Sequence, residues 1–173
     1  MRRFLTALTV AATLAAPADA QDSGHNRSPP AAQGGGSAAQ LRAKLRATQT
    51  EDGLRVRLSA DTLFGDAPDA LTDAGMAMLG EIAKLITATR PHQILVAGHT
   101  DGNGADGENL KLSEQRAHAV AAWLAEHAGR KPPRIVEQGY GRTRPIAPNR
   151  NPDASDNPDA RAENRRIEIF LKR

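Results

Sequence analysis

Apolar residues return at every second position in two stretches of the chain and at helical spacing in two others. Leu54, Val56 and Leu58 alternate with Arg55 and Arg57, and Ile167, Ile169 and Leu171 alternate with Glu168, Phe170 and Lys172. A period of two predicts strands with one face buried. Between them Leu71, Gly75, Met78, Leu79, Ile82, Leu85 and Ile86 follow the helical period, with Thr72 and Asp73 in the first turn and Pro91 closing the helix. Ile94 to Ala97 is a short continuous apolar run, predicting a central strand covered on both faces. Ala117, Val120, Ala121, Leu124 and Ala128 mark a second helix ended by Gly129, and Ile135-Val136 a further strand. Leu41 and Leu45 give a short helical lead-in within Ala38 to Thr48, while Gly139 to Ala160 holds four prolines and reads as a long surface loop. The order β-α-β-α-β-loop-β predicts an α/β fold, a two-layer α+β sandwich with helices packed on one face of a small mixed sheet. No internal repeat is visible.

The N-terminus divides the chain. Arg2 and Arg3 precede an apolar run from Phe4 to Ala16, and Ala18-Asp19-Ala20 offers a small-x-small cleavage site. This is the layout of a secretory signal peptide over residues 1–20. The alternative is an uncleaved anchor, but the run falls well short of the roughly 20 residues that span a bilayer, so no stable membrane span is expected. Pro29-Pro30 and Gly34-Gly35-Gly36 make residues 21–40 a flexible linker, and residues 41–173 the folded domain. Aromatic residues are only 3% of the chain, so the core must rest on aliphatic side chains. Cysteine is absent, which excludes both disulfides and a lipid-modified N-terminal cysteine from a chain bound for an oxidising compartment. Removal of the leader takes the formal charge from +3 to +2, because Arg2, Arg3 and Asp19 go with it. So small an excess, without interleaved aromatic and basic residues, excludes nucleic acid as a partner.

The candidate chemistry lies in Gly98-His99-Thr100-Asp101 and in the helix that follows, with Asn109 and Arg116. A carboxylate on a loop after a strand and a guanidinium in the next helix can clamp a ligand carrying both an ammonium and a carboxylate. The plainer alternative is an ion pair between Asp101 and Arg116. Asn109 either caps the helix with its side-chain oxygen or donates to a ligand.

Gly102, Gly104 and Gly107 match G-x-G-x-x-G between a strand and a helix, which keeps a nucleotide-binding enzyme open as an alternative. Against it, His99, Thr100 and Asp101 separate strand from glycines, Glu108 sits where a pyrophosphate belongs, and the chain is too short for a six-stranded doubly wound sheet. Asp101 and Asn103 begin a calcium-loop spacing that fails at Ala105, Asp106 and Leu112. Asn149, Asn151, Asp153 and Ser155 read as turn formers. No metal and no cofactor is expected, and His99 reads as structural. No catalytic residue emerges, since there is no nucleophile elbow and no cysteine, and Ser113 with His118 reads as solvated helix surface.

These residues carry a resemblance. Leu63-Phe64, Ile94, Gly98-His99-Thr100-Asp101, Gly104, Asn109, Leu112-Ser113, Arg116-Ala117, Gly139-Tyr140-Gly141, Pro145, Asn149, Arg161 and Asn164-Arg165-Arg166-Ile167-Glu168-Ile169 are similar to the OmpA-like peptidoglycan-binding domain. That domain is shared by the C-terminal part of outer membrane protein A, the peptidoglycan-associated lipoprotein and flagellar motor protein B. The similarity runs from about Asp52 to the C-terminus. It implies binding rather than catalysis, with meso-diaminopimelate of the peptidoglycan stem peptide as the ligand. Carried over by position, Asp101 takes the ammonium and Arg116 a carboxylate. Arg165 adds a second cation beside the pocket, and Thr100 and Asn109 contribute hydrogen bonds. The resemblance further implies a periplasmic, cell-wall-associated protein, possible envelope protein partners and, if the leader is retained, a membrane-tethered link to the wall. Two departures stand out. Gly65 and Ala67 follow the aromatic of the first strand where relatives carry polar residues, and Asn151 to Pro158 lengthens the loop before Arg161.

Overall fold

Leu54, Val56 and Leu58 are buried and Arg55 and Arg57 are not, as their alternation predicts, on strand β2 (Gly53–Ser59). A computed structural model describes residues 37–131 and 133–173. Before β2 come α1 (Ala38–Lys44), capped by Ser37, and a short β1 (Thr48–Thr50). After it follow α2 (Ala60–Phe64), α3 (Asp73–Thr89), β3 (Gln93–His99), α4 (Asp106–His127), β4 (Arg134–Gly139), α5 (Pro158–Asn164) and β5 (Arg166–Lys172). The leader and most of the linker expected at the N-terminus lie outside the described residues. The helical lead-in expected within Ala38 to Thr48 is α1, which starts at Ala38 and buries Leu41.

The strands form one five-stranded sheet in the order β1-β2-β5-β3-β4. β5 is the last strand in sequence yet sits at the centre, antiparallel to both β2 and β3, and only β3 and β4 run parallel. Its register aligns Ile167, Ile169 and Leu171 with Leu58, Val56 and Leu54 on one side and with Gly98, Val96 and Ile94 on the other. This row meets Leu79, Ile82, Leu85 and Ile86 of α3 and Ala117, Val120 and Leu124 of α4 in a single aliphatic core. Non-directional burial of such surface is the main favourable term in folding. The α/β sandwich with helices on one face of a mixed sheet is therefore the observed fold.

The opposite face corrects the expectation for β3. Among the described residues no helix covers it there: Leu95 stays half-buried beside Phe170, while Ala97 and His99 are buried. Those two are shielded by side chains of the neighbouring strand and the loop after β4 rather than by a second helical layer, with the His99 ring stacked on Tyr140 at 5.3 Å.

Two glycines bring the layers close enough to build a site. A Cβ on Gly98 would lie 2.1 Å from the Ser113 carbonyl oxygen, so the end of β3 touches the α4 backbone directly. A Cβ on Gly75 would lie 2.7 Å from the Leu63 carbonyl, which lets α3 start against α2. Thr72 secures that junction. Its backbone N–H donates to the Leu63 carbonyl at 2.8 Å, and its hydroxyl donates to the Thr62 carbonyl at 2.8 Å while accepting from Gly75 N at 2.9 Å.

Several local features depart from the sequence pattern. Phe64 ends a helix rather than lying on a strand, and Gly65 takes φ 56° as its C-cap. α4 starts at Asp106, well before its first apolar position, because its early turns bury polar groups. Ser113 is wholly buried rather than solvated; its hydroxyl donates to the Leu110 carbonyl at 2.7 Å and accepts from Gly141 N at 2.9 Å. His118 is exposed as expected and pairs with Glu137 at 3.0 Å. In the long loop, Asn151, Asp153 and Ser155 form the expected turn. Asn149 instead latches the loop, its Oδ1 accepting from Gly102 N at 3.2 Å and from Asn164 Nδ2 at 2.9 Å.

Candidate functional site

Four elements deliver charge to one end of the sheet. Asp61 sits in the first turn of α2, Asp101 follows β3, Arg116 projects from the third turn of α4, and Arg165 is the residue between α5 and β5. The Gly98–Ser113 contact sets α4 against β3. The Asn164 side chain, which accepts from Ile146 N and Ala147 N at 2.8 and 3.2 Å, anchors the chain just before Arg165.

Asp101 is only 8% exposed, and both of its oxygens are engaged. Oδ1 accepts from Asn103 N at 3.0 Å, shaping the loop as an Asx turn. Oδ2 accepts from Arg165 Nη1 at 2.8 Å. Each oxygen has a second lone-pair direction left for a ligand donor. Arg165 also grips Asp61 with two parallel bonds of 2.8 Å, Nε to Oδ1 and Nη2 to Oδ2. This fork geometry is the strong form of a carboxylate–guanidinium pair. The Arg165 bonds hold the Asp61 carboxyl below its ordinary range, and Asp61 in turn pushes the Arg165 guanidinium up.

Arg116 is equally buried, at 8% exposed, but differently satisfied. Its Nε donates to the Pro68 carbonyl at 2.8 Å and its guanidinium carbon lies 5.1 Å from the centre of the Phe64 ring. Among the described residues nothing accepts from its two terminal nitrogens. Burial lowers its pKa, opposed by the negative charges of Asp61, Asp101 and Asp69. Arg116 therefore presents the end-on edge that a carboxylate fits, at a place already partly desolvated. The plain ion pair between Asp101 and Arg116 does not form; the cation bonded to Asp101 is Arg165.

Two other residues from the sequence behave otherwise. Asn109 neither caps α4 nor offers its amide outward. Its Nδ2 donates to the Asn103 carbonyl at 2.6 Å and to the Ala105 carbonyl at 3.2 Å, fastening the glycine loop to the helix. Ala105 holds the N-cap position without a side-chain bond. Thr100 donates its backbone N–H to the Gly141 carbonyl at 3.0 Å, while its hydroxyl is buried with no partner. The hydroxyl to which the resemblance assigns a ligand hydrogen bond is thus buried and unpartnered among the described residues. The glycine loop also fits no dinucleotide. Asn149 takes the Gly102 N–H, Asp106 and Glu108 fill the first turn of α4, and among the described residues only one strand pair is parallel. The sequence reading missed Asp61, whose one signal is its place two residues after the N-cap Ser59.

This geometry gathers four charged side chains at one end of a mixed sheet, and the comparisons give the chain a family. The OmpA family model matches residues 63–159, and the chain belongs to that family. It is 36% identical over 117 residues to outer membrane protein A of Bordetella avium, covering 68% of this chain and 57% of that protein. It is 34% identical over 108 residues to the peptidoglycan-binding protein ArfA of Mycobacterium tuberculosis, covering 62% and 31%. The structure is similar to the cell wall anchor of the type VI secretion system from Pseudomonas aeruginosa. There the TM-score is 0.63 at 28% identity, with 78% of this chain and 95% of that one covered. The chain spans between 15% and 68% of the length of the first curated relatives it matches. Among the described residues no helix is long and apolar enough to cross a membrane.

Proposed function

We propose that this chain binds peptidoglycan non-covalently in the cell envelope, through the diaminopimelate of the stem peptide. Its role is binding, with no reaction catalysed. The observation that carries the proposal is the buried Arg116, whose terminal nitrogens are unclaimed among the described residues, at the same end of the sheet as the engaged but unsaturated carboxylate of Asp101. The free end of diaminopimelate carries an ammonium and a carboxylate on one carbon. Asp101 takes the first and Arg116 the second, and Arg165 acts as the strut that holds Asp101. Asn109 acts through the loop it fastens, and Thr100 through its backbone bond to Gly141. Names among the relatives, a peptidoglycan-binding protein and a cell wall anchor, support this ligand class. Export to the periplasm by a cleaved leader follows from the N-terminal pattern alone.

Co-sedimentation of the purified protein with isolated sacculi tests the proposal. Asp101→Ala or Arg116→Ala should each weaken binding by about tenfold or more, the cost of removing a charged hydrogen-bond partner. The exposed Lys84→Ala should leave it unchanged. Diaminopimelate should compete, and lysine, which lacks the second carboxylate, should compete poorly. Site variants that bind as well as the parent would refute the assignment.

A further inference from the structure

The bidentate pair between Asp61 and Arg165 is more than the site needs to hold a cation in place. We infer that Asp61 sets how strictly the cleft demands a free carboxylate, and that it widens the ligand class to diaminopimelate whose carboxylate is amidated. The inference rests on the peptidoglycan reading and adds a specificity-determining residue to it.

The reasoning starts from donor arithmetic. A guanidinium has five N–H donors in a fixed fork. In Arg165, Nε and one Nη2 hydrogen go to Asp61, and one Nη1 hydrogen goes to Asp101. Of the five donors three are committed within the protein, and one remains on each terminal nitrogen. Arg165 thus acts as a strut between two anions, and its charge is spent within the protein. Of the two arginines in the site, Arg116 is the one with both terminal nitrogens unclaimed among the described residues, since only its Nε is engaged, by Pro68.

Charge balance points the same way. Arg116 sits over Phe64, three residues after Asp61 on the same short helix, and the single cation Arg165 is bonded to both Asp61 and Asp101. An ammonium is welcome in such surroundings, and an incoming carboxylate gains from Arg116 while being repelled by Asp61. A carboxamide escapes that repulsion and still accepts a hydrogen bond from Arg116 through its oxygen. Asp61 thereby narrows the preference for the acid over its amide. Asp61 lies on the exposed first turn of α2, so its substitution leaves the aliphatic core untouched.

The test compares two ligands on the full chain by calorimetry: a stem tetrapeptide with meso-diaminopimelate, and the same peptide carrying a carboxamide at the free D-centre. Both present the same ammonium to Asp101, so any loosening of that carboxylate cancels in their ratio. Asp61→Asn should raise the acid-to-amide affinity ratio about fivefold, by releasing the Arg165 fork and removing one repelling charge. Asp61→Ala should do the same, and Asp61→Glu should keep the parent ratio. A parent that binds both peptides, with an unchanged or smaller ratio in Asp61→Asn, overturns this inference alone. A parent that binds neither peptide overturns the peptidoglycan reading and this inference with it.

Discussion

His99 and Asp101 stand two residues apart, and Arg165 and Arg166 are adjacent, yet the structure sorts them into two charged clusters with opposite characters. Asp101 and Arg165 join Asp61 and Arg116 in the cleft. His99 and Arg166, cross-strand partners in the β3–β5 register, join Glu168 on the sheet face opposite the helices. There Arg166 Nε donates to Glu168 Oε1 at 3.2 Å, Nη1 to the Asn164 carbonyl at 3.2 Å and Nη2 to the Arg144 carbonyl at 3.0 Å. Arg57 adds a fourth contact at 3.3 Å to Glu168. The Arg144 guanidinium covers the Tyr140 ring at 3.7 Å, and Tyr140 stacks on His99. This cluster directs its charges inward, and all three Arg166 nitrogens have partners. The cleft has the same ingredients but leaves one buried guanidinium with an open edge. Spare hydrogen-bonding capacity at a desolvated charge, rather than charge density, is what separates the proposed binding site from a structural network.

The largest expected effect tests whether the two clusters are separable. Glu168→Ala leaves Arg166 as a buried cation without its carboxylate, which should cost about 3 kcal/mol or more in a urea unfolding experiment. Sacculus binding by the molecules that remain folded should stay within about twofold of the parent, a margin under 0.5 kcal/mol. Loss of binding by fully folded Glu168→Ala would merge the clusters and break the comparison. Asp101→Ala should show the reverse order, with a larger effect on binding than on unfolding.

The next effect is on pH. Burial pushes the His99 pKa down from 6.5 to about 4, helped by the positive charge of Arg166 and opposed by Glu168. The unfolded chain therefore binds a proton between these values that the folded chain refuses. Stability rises with pH across that window, and is lost as pH falls from 6.5 towards about 4. The total should be about 3 kcal/mol. Glu168, whose carboxyl is held below its ordinary 4.5 by Arg166 in spite of its burial, adds a loss that begins only at lower pH. His99→Phe keeps a ring against Tyr140 and removes the titration. Its urea midpoint should stay flat down to about pH 5, where the parent's has already fallen. An equally sloped variant would remove His99 as the cause.

The two clusters also differ in how far they could be read from the sequence. Strands β2, β3 and β5 and helix α3 were legible because their apolar periods face one common core. The first turns of α4 were not, since Asn109, Ser113 and Arg116 are buried where apolar residues would mark the face. Helix α5 carried its signature, Asn157 as N-cap and Pro158 at the first turn, inside a stretch whose prolines read as loop. Helix α2 was too short for any period to register. Asp101 and Arg116 came from a local motif and its spacing, and Arg165 from the resemblance. Asp61 did not, because its partner Arg165 is 104 positions away and only the folded sheet brings them together. For the same reason spacing could not name the partner of Asp101: it left the ion pair with Arg116 open, and geometry gave the bond to Arg165.

The smallest effect separates contacts that look alike by distance. Arg57 meets Glu168 at 3.3 Å, much as Arg166 does at 3.2 Å, but its side chain is 44% exposed where that of Arg166 is 4% exposed. Water screens the first pair and its side chain keeps the entropy of an exposed arginine, so Arg57→Ala should cost less than about 1 kcal/mol. Glu168 keeps its buried partner in that variant, and so the pH dependence assigned to His99 should survive with its midpoint little changed. A stability loss as large as that of Glu168→Ala would mean that the outer arginine, rather than burial beneath it, holds the network together. The inward-directed cluster would then be half a surface salt bridge, and its contrast with the cleft would rest on Arg116 alone.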